Sequence, residues 1–441
     1  MNTNLEGPAP SFSETTRAFG RIGLLSFGGP AGQIALMHRI LVDEKRWLDE
    51  KRFLHALNYC MLLPGPEAMQ LATYVGWLLH GVRGGLVAGL LFVLPGAAII
   101  VLLSALYAML GHVPVIQGLL FGLKAAVLAV VLEALIRVAR RAIGSLAMAL
   151  MAVAAFVAIA FLKLPFPLVI GAAALAGALG HLSGGTGAGE ARRIDDVAAM
   201  PEWTQPSAVR FVSTLAVWLA IWFGPLVAIL LVFGRGHVFA AEAEFFSKMA
   251  TVTFGGAYAV LAYVAQQAVE IHGWLKPDEM LTGLGLAETT PGPLILVLVF
   301  VGFLGGARLS GWEPLAGGMM GAGVTLWFTF VPCFLWIFVG APYVETLRGV
   351  RWLAGALAAV TAAVVGVIAS LGLWFAMHVL FAGVGDVVLG PLHLPMPRLA
   401  TLDAAAALIA FGAGVALIRY KANMIAVLVV AALAGVAWTL V

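Results

Sequence analysis

Five long apolar stretches limit what this chain can fold into, because each approaches or exceeds the length needed to cross a lipid bilayer. They are residues 85–110, 142–162, 208–233, 350–376 and 423–441. An α-helix needs about 20 mostly apolar residues to span the hydrocarbon core. Hydrophobic residues make up 62% of the chain and charged residues 11%, which is more apolar than a soluble domain. The sequence therefore predicts an all-α polytopic membrane protein with about ten to fourteen hydrophobic segments.

Charge and motif content exclude several classes of function. The formal net charge of +3 is too small to indicate nucleic-acid binding. The two cysteines, Cys60 and Cys333, lie in apolar stretches and fit neither a disulfide framework nor a zinc site. We find no nucleotide-binding loop, catalytic serine motif or histidine spacing typical of a metal centre. We therefore expect no cofactor, no metal and no enzymatic activity.

Two motifs rich in glycine and proline occur twice. SFGGP at residues 26–30 and PGP at 64–66 return as TFGG at 253–256 and PGP at 291–293. An offset of 227 residues carries Phe27 to Phe254, and it aligns all of these motifs without a gap. The same offset carries Trp47 to Trp274. The chain is therefore predicted to consist of two homologous halves.

These motifs are predicted to break helices, because glycine permits positive φ and proline removes a backbone donor. A broken helix at membrane depth is tolerated only inside protein or beside a watery cavity, and its new N-terminus suits an anion. The alternative is that the motifs only let helices bend or pack closely, but their duplication in register favours a transport site. The predicted substrate-binding residues at the breaks are Ser26, Gly28, Gly29, Pro64, Gly65, Pro66, Gln70, Thr253, Gly255, Gly256, Pro291, Gly292 and Pro293.

Basic residues recur at matching positions of the two halves. Lys124 corresponds to Arg351, and both are predicted to bind the substrate, whereas Arg21 and its counterpart Lys248 are predicted to attract anions. Two cations brought together by a pseudo-twofold axis would repel each other unless an anion lay between them. The alternative for Lys124 and Arg351 is that they snorkel to the membrane interface.

A few acidic residues lie in or near the apolar segments. Glu67 follows the first PGP and Glu288 precedes the second. Each is predicted either to carry a proton during transport or to cap a broken helix. Glu133 and Arg137 are four residues apart, a spacing that predicts an ion pair on one helix face.

The distribution of basic residues predicts that the two halves are inverted in the membrane. Residues 38–52 contain five Lys or Arg, whereas the corresponding residues 265–279 contain only Lys276. The positive-inside rule places the first of these loops in the cytoplasm and the second outside. The stretch 208–233 has no counterpart and supplies the one extra crossing that inverts the second half. The predicted parts are a first repeat at 1–207, a connecting helix at 208–237 and a second repeat at 238–441.

The motifs resemble the signature of the chromate ion transporter (CHR) family, in its long form with two domains. The resemblance rests on SFGGP, the tryptophan about twenty residues on, PGP, and the spacing from Gln70 to Gly76. The second copy has Ala257 and Val297 in place of the proline and glutamine, which predicts an asymmetric site.

The resemblance implies a secondary transporter in the inner membrane that exports chromate and confers chromate resistance. It leaves sulfate or another tetrahedral oxyanion as the alternative substrate. The expected partners are the oxyanion and the lipid bilayer, with a homodimer as a further possibility. The expected mechanism is alternating access, in which one half rocks against the other around a site between the breaks.

Overall fold

The helical prediction is confirmed by a computed structural model that describes residues 10–182, 202–254, 257–343 and 351–440. These residues form sixteen α-helices. In chain order the helices are α1 (Phe12–Leu25), α2 (Gly29–His38), α3 (Glu50–Cys60), α4 (Glu67–Leu110), α5 (Pro114–Ala142), α6 (Leu146–Ala160), α7 (Phe166–Leu182), α8 (Ala208–Phe233), α9 (Val238–Val252), α10 (Ala257–Ala265), α11 (Pro277–Thr289), α12 (Val297–Leu309), α13 (Pro314–Gly340), α14 (Arg351–Leu380), α15 (Ala404–Gly414) and α16 (Met424–Leu440).

Five helical segments in the described part of the chain are long and apolar enough to cross a membrane. They are Glu67–Leu110, Pro114–Ala142, Ala208–Phe233, Pro314–Tyr343 and Trp352–Leu380. Six shorter apolar helices accompany them, including α6 and α16, which occupy the predicted stretches 142–162 and 423–441. The chain is therefore a multi-pass α-helical membrane protein.

The duplication extends to the local backbone. A π-helical segment, Arg39–Glu44, continues α2, and a second, Gln266–Ile271, continues α10. The two segments are separated by the same offset of 227 residues that aligns the motifs. A short helix and a proline–glycine motif then follow in both halves, with α3 before residues 64–66 and α11 before residues 291–293. The two sequence copies therefore fold into the same succession of elements here.

Helix α4 is two helical segments that fold back on each other. The backbone leaves helical geometry at His80 (φ −141°) and Gly81 (φ 60°). Gly76 and Gly84 then lie in direct contact across the bend, so close that a Cβ atom on either would overlap the backbone of the other. Helices α12 and α13 repeat this arrangement, with Gly306 against Gly317. Small residues let the helix backbones approach closely in both halves.

The chain divides into two compact units. The first contains α1 to α3, most of α4, α8, α9, α12 and α13. In its core, the second segment of α4 packs against α13, where Gly85 and Gly89 face the rings of Phe338 and Phe334.

The second unit contains the end of α4, α5 to α7, α10, α11 and α14 to α16. Here α5 packs against α16 through Gly122 and Ala431, while α7 meets α14 at Gly177 and Gly355. Both contacts place a glycine where no larger residue would fit.

A β-hairpin in the second unit departs from the all-α prediction. Strand β1 (Val384–Leu389) pairs antiparallel with β2 (Leu392–Pro397). Gly390, with φ of 61°, occupies the first position of the two-residue turn, where positive φ is required. The main-chain N–H of His393 donates to the Phe161 carbonyl at 2.7 Å. Sequence inspection missed the hairpin because its valines and leucines merge into the surrounding apolar pattern.

Candidate functional site

The predicted helix breaks are confirmed at four glycines. Gly28 and Gly29 have φ of 87° and 69°, Gly65 has φ of 122° and Gly292 has φ of 93°. Residues with a Cβ atom rarely adopt such values. Gly255 and Gly256, the counterparts of Gly28 and Gly29, lie outside the described residues.

Two hydrogen bonds join the breaks of one half to those of the other within the first unit. The Gly65 N–H donates to the Thr253 carbonyl at 2.8 Å, and the Gly292 N–H donates to the Ser26 carbonyl at 2.8 Å. Each PGP glycine therefore bonds the residue just before FGG in the opposite half. We call this set the break cluster; it comprises Ser26–Gly29, Pro64–Pro66, Thr253–Phe254 and Pro291–Pro293.

Two of the long helices of the first unit, α4 and α13, pass the break cluster beside a proline. Pro95 lies inside α4 and Pro332 inside α13. A Cβ atom on Gly96, which follows Pro95, would overlap the Pro291 carbonyl. A Cβ atom on Gly65 would lie 2.9 Å from Sγ of Cys333, which follows Pro332. Each PGP is therefore packed against the residue that follows the helix proline of the opposite half.

Two buried glutamines bind carbonyl groups of the break cluster. The Gln70 amide nitrogen donates to the Pro64 carbonyl at 2.7 Å, and that of Gln33 donates to the Gly292 carbonyl at 2.6 Å. Neither side-chain oxygen has a hydrogen-bond partner among the described residues. The Gln33 amide nitrogen also lies 3.5 Å from the Ser26 carbonyl, whereas the bond of Gln70 to Pro64 leaves one hydrogen of its amide unused.

Sequence reasoning found Gln70 and missed Gln33. The available signal was an amide within the apolar segment that follows SFGGP. The second half has Val260 and Val297 at the positions equivalent to Gln33 and Gln70. The amides around the cluster therefore come from the first half only.

The hydroxyl groups at the breaks bond within their own helices. Ser26 donates to the Ile22 carbonyl at 2.6 Å, and Thr253 donates to the Met249 carbonyl at 2.6 Å. These equal contacts at equivalent positions reinforce the repeat. They also use both hydroxyl hydrogens, so neither group can donate to an oxyanion in this conformation.

The predicted cationic residues do not lie buried at the cluster. Arg21 forms an exposed ion pair with Glu44 at 3.2 Å, and Lys248 is exposed on α9. Lys124 belongs to the second unit, where its amine lies 3.0 Å from a carboxylate oxygen of Asp278. Arg351 begins α14, and its side chain lies outside the described part of the structure.

Among the Lys and Arg side chains that the structure describes, which exclude that of Arg351, none is buried. The roles predicted for Lys124 and Arg351 in substrate binding, and for Arg21 and Lys248 in attracting anions, stay predictions.

The acidic residues lie in different surroundings. Glu67 is the first residue of α4 and is partly exposed beside the cluster. Glu288 belongs to the second unit, is 3% exposed and accepts a hydrogen bond from the Tyr258 hydroxyl. The predicted ion pair of Glu133 and Arg137 is confirmed at 2.7 Å.

These features define a class of protein: a multi-pass membrane protein whose two halves bring their broken helices together. The chain belongs to the chromate transporter family, because the family profile matches residues 13–178 and 241–436. This is a family of transporters, not of enzymes.

Named relatives match over most of the chain. A chromate transport protein of Pseudomonas aeruginosa is 30% identical over 437 residues, covering 97% of this chain and 92% of the relative. A chromate transport protein of Cupriavidus metallidurans is 25% identical, covering 82% of both chains. An uncharacterized transporter of Methanocaldococcus jannaschii is 23% identical, covering 84% of this chain and 86% of the relative. No solved structure matches the chain significantly.

Proposed function

We propose that the protein is a secondary transporter that exports chromate across the cytoplasmic membrane by alternating access and so confers chromate resistance. The break cluster carries this proposal, because its two reciprocal hydrogen bonds bring the broken helices of both halves to one place. Duplicated, discontinuous helices are typical of substrate sites in secondary transporters. The choice of chromate follows the names of the relatives from Pseudomonas aeruginosa and Cupriavidus metallidurans.

The dianion is bound chiefly by main-chain and amide N–H groups. Helix α2 starts at the break without a side-chain cap, and α4 starts directly after Pro66. Helix starts present N–H groups that lack an intrahelical partner and carry a partial positive charge. The second amide hydrogen of Gln70 adds a neutral donor, while the Gln33 amide holds the Gly292 and Ser26 carbonyls in place. Neutral donors of this kind hold the substrate without a buried Lys or Arg among the side chains that the structure describes.

We further propose that the two repeats, 1–207 and 238–441, are inverted about the connecting segment 208–237. Contacts in the second unit support this arrangement. Lys163, in the turn after α6, pairs with Glu270 at 3.9 Å, and the β-hairpin bonds the same turn. Arg140 and Arg141 at the end of α5 place the start of α6 in the cytoplasm by the positive-inside rule, so the turn after α6 lies on the outer side, where the inverted topology also places Glu270. A non-inverted second half would place Glu270 on the opposite side from the turn.

The membrane potential supplies the driving force. Moving one elementary charge through 100 mV is worth about 2.3 kcal/mol, so a leaving dianion gains about 4.6 kcal/mol in a negative-inside cell. Export therefore needs no nucleotide hydrolysis. Opening the break cluster to each side in turn completes the cycle.

The test is chromate exit from proteoliposomes under an imposed potassium diffusion potential and no pH gradient. We expect a negative-inside potential to accelerate exit and excess sulfate to compete weakly. Gln33→Leu should slow exit, whereas Gln117→Leu, at an exposed position on α5, should leave it unchanged. Flux of sulfate without flux of chromate would refute the choice of substrate. A rate of chromate exit that does not change with the imposed potential would refute electrogenic export.

A further inference from the structure

Glu242 is an acidic side chain sealed inside the first unit. It lies on α9, about three helical turns before Thr253 of the break cluster. It is 0% exposed. Neither carboxylate oxygen has a hydrogen-bond partner among the described residues. The other buried acidic residues that the structure describes, Glu279 and Glu288, each accept a hydrogen bond from a tyrosine hydroxyl.

The surroundings of Glu242 provide space but no counter-charge. Helix α9 packs against α8, α12 and α13. A Cβ atom on Gly321 of α13 would lie 3.2 Å from a Glu242 carboxylate oxygen, so the missing side chain makes room for the carboxyl group. None of the titratable or charged residues on these helices bonds Glu242; they are Arg210 on α8, Arg308 on α12, Cys333 on α13, and Glu244 and Lys248 on α9 itself.

An ionised carboxylate without a partner is strongly disfavoured in such an environment. Glu242 therefore holds a proton in this conformation. The neutral acid contributes nothing evident to the fold, because a buried polar group without a partner is destabilising. The equivalent position in the first half is Thr15, whose hydroxyl pairs with the His80 ring at 3.0 Å. The second half thus has a titratable carboxyl group, Glu242, at the position where the first half has the hydrogen-bonded hydroxyl of Thr15.

We propose that Glu242 is the proton-binding site that couples chromate transport to proton movement. The carboxylate takes up a proton from water to form the neutral acid enclosed here. It releases that proton when the transport cycle opens the contact of α9 with α12 and α13. This inference rests on the proposed transport function and replaces Glu67 and Glu288 as the first candidate for coupling, because those two side chains have partners.

The first experiment measures proton movement during chromate flux, with a pH-sensitive dye trapped in proteoliposomes. Wild-type protein should change the internal pH as chromate moves. Glu242→Gln should keep potential-driven chromate flux and lose the accompanying pH change. Glu244→Gln, two residues away and partly exposed, is the matched control and should behave as wild type. A pH change in Glu242→Gln equal to that of wild type would overturn the proposal, as would its absence in wild type.

A second measurement does not depend on the substrate. Infrared difference spectra recorded across a pH titration should show the carbonyl band of a protonated carboxyl group, which Glu242→Gln removes and Glu244→Gln retains. Persistence of the band in Glu242→Gln would refute proton binding by Glu242. If neither wild type nor the two variants transported chromate, while wild type and Glu244→Gln still showed the carbonyl band, the proposed substrate would be refuted and the proton site would remain supported.

Discussion

Replacing Gly65 by alanine perturbs the break cluster at its most crowded point. The residue has φ of 122°, and its N–H bonds the Thr253 carbonyl. A Cβ atom would lie 2.9 Å from Cys333 Sγ and 2.9 Å from the Gln70 amide nitrogen. We expect about 1–3 kcal/mol of backbone strain and about 1–3 kcal/mol from overpacking. Gly65→Ala should therefore lower the free energy of unfolding by about 2–6 kcal/mol and reduce chromate flux.

Gly28→Ala separates backbone strain from crowding. Gly28 also has positive φ, at 87°, but its Cβ position has no atom of the described residues within 4 Å apart from its own chain neighbours. We expect a loss of only about 1–2 kcal/mol there. Combining Gly65→Ala with Cys333→Ala should cost less than the sum of the two single changes, because the smaller side chain removes one of the two overlaps.

The assay is denaturant unfolding in detergent, with chromate flux measured in parallel. Equal destabilisation by Gly65→Ala and Gly28→Ala would refute the packing of Cys333 against the break. Additive effects of Gly65→Ala and Cys333→Ala would refute it as well.

Two further predictions concern charge and topology. Lys124→Gln should cost at most about 1 kcal/mol of stability, because the ion pair of Lys124 with Asp278 is partly exposed. The same variant should lower chromate flux, because it removes an amine that attracts the dianion. Asp278→Asn, which keeps the amine, should not lower the flux. Wild-type flux in both variants would make the pair purely structural. When a single cysteine replaces either Asp49 or Lys276, an impermeant thiol reagent added outside should label Lys276→Cys and not Asp49→Cys. Both native cysteines are buried and give little background labelling. Equal labelling would refute the inverted repeat.

The sequence alone determined the features that depend on local chain properties. Apolar length fixed the membrane class, because the backbone of a lipid-exposed segment must satisfy its hydrogen bonds internally. Glycine and proline fixed the positions of the breaks, because their φ preferences act at the residue itself. Glu133 and Arg137 were predictable for the same reason, since a spacing of four residues places both on one helix face.

Tertiary structure alone decided which of these local features meet. Gly65 bonds Thr253, Gln33 bonds a carbonyl 259 residues away, and Lys124 pairs with Asp278. Such partners are set by how helices from distant parts of the chain pack, which no local pattern encodes. Burial is equally non-local: Glu242 and Glu244 are two residues apart on α9, and only the packing of α12 and α13 encloses the first of them without a partner.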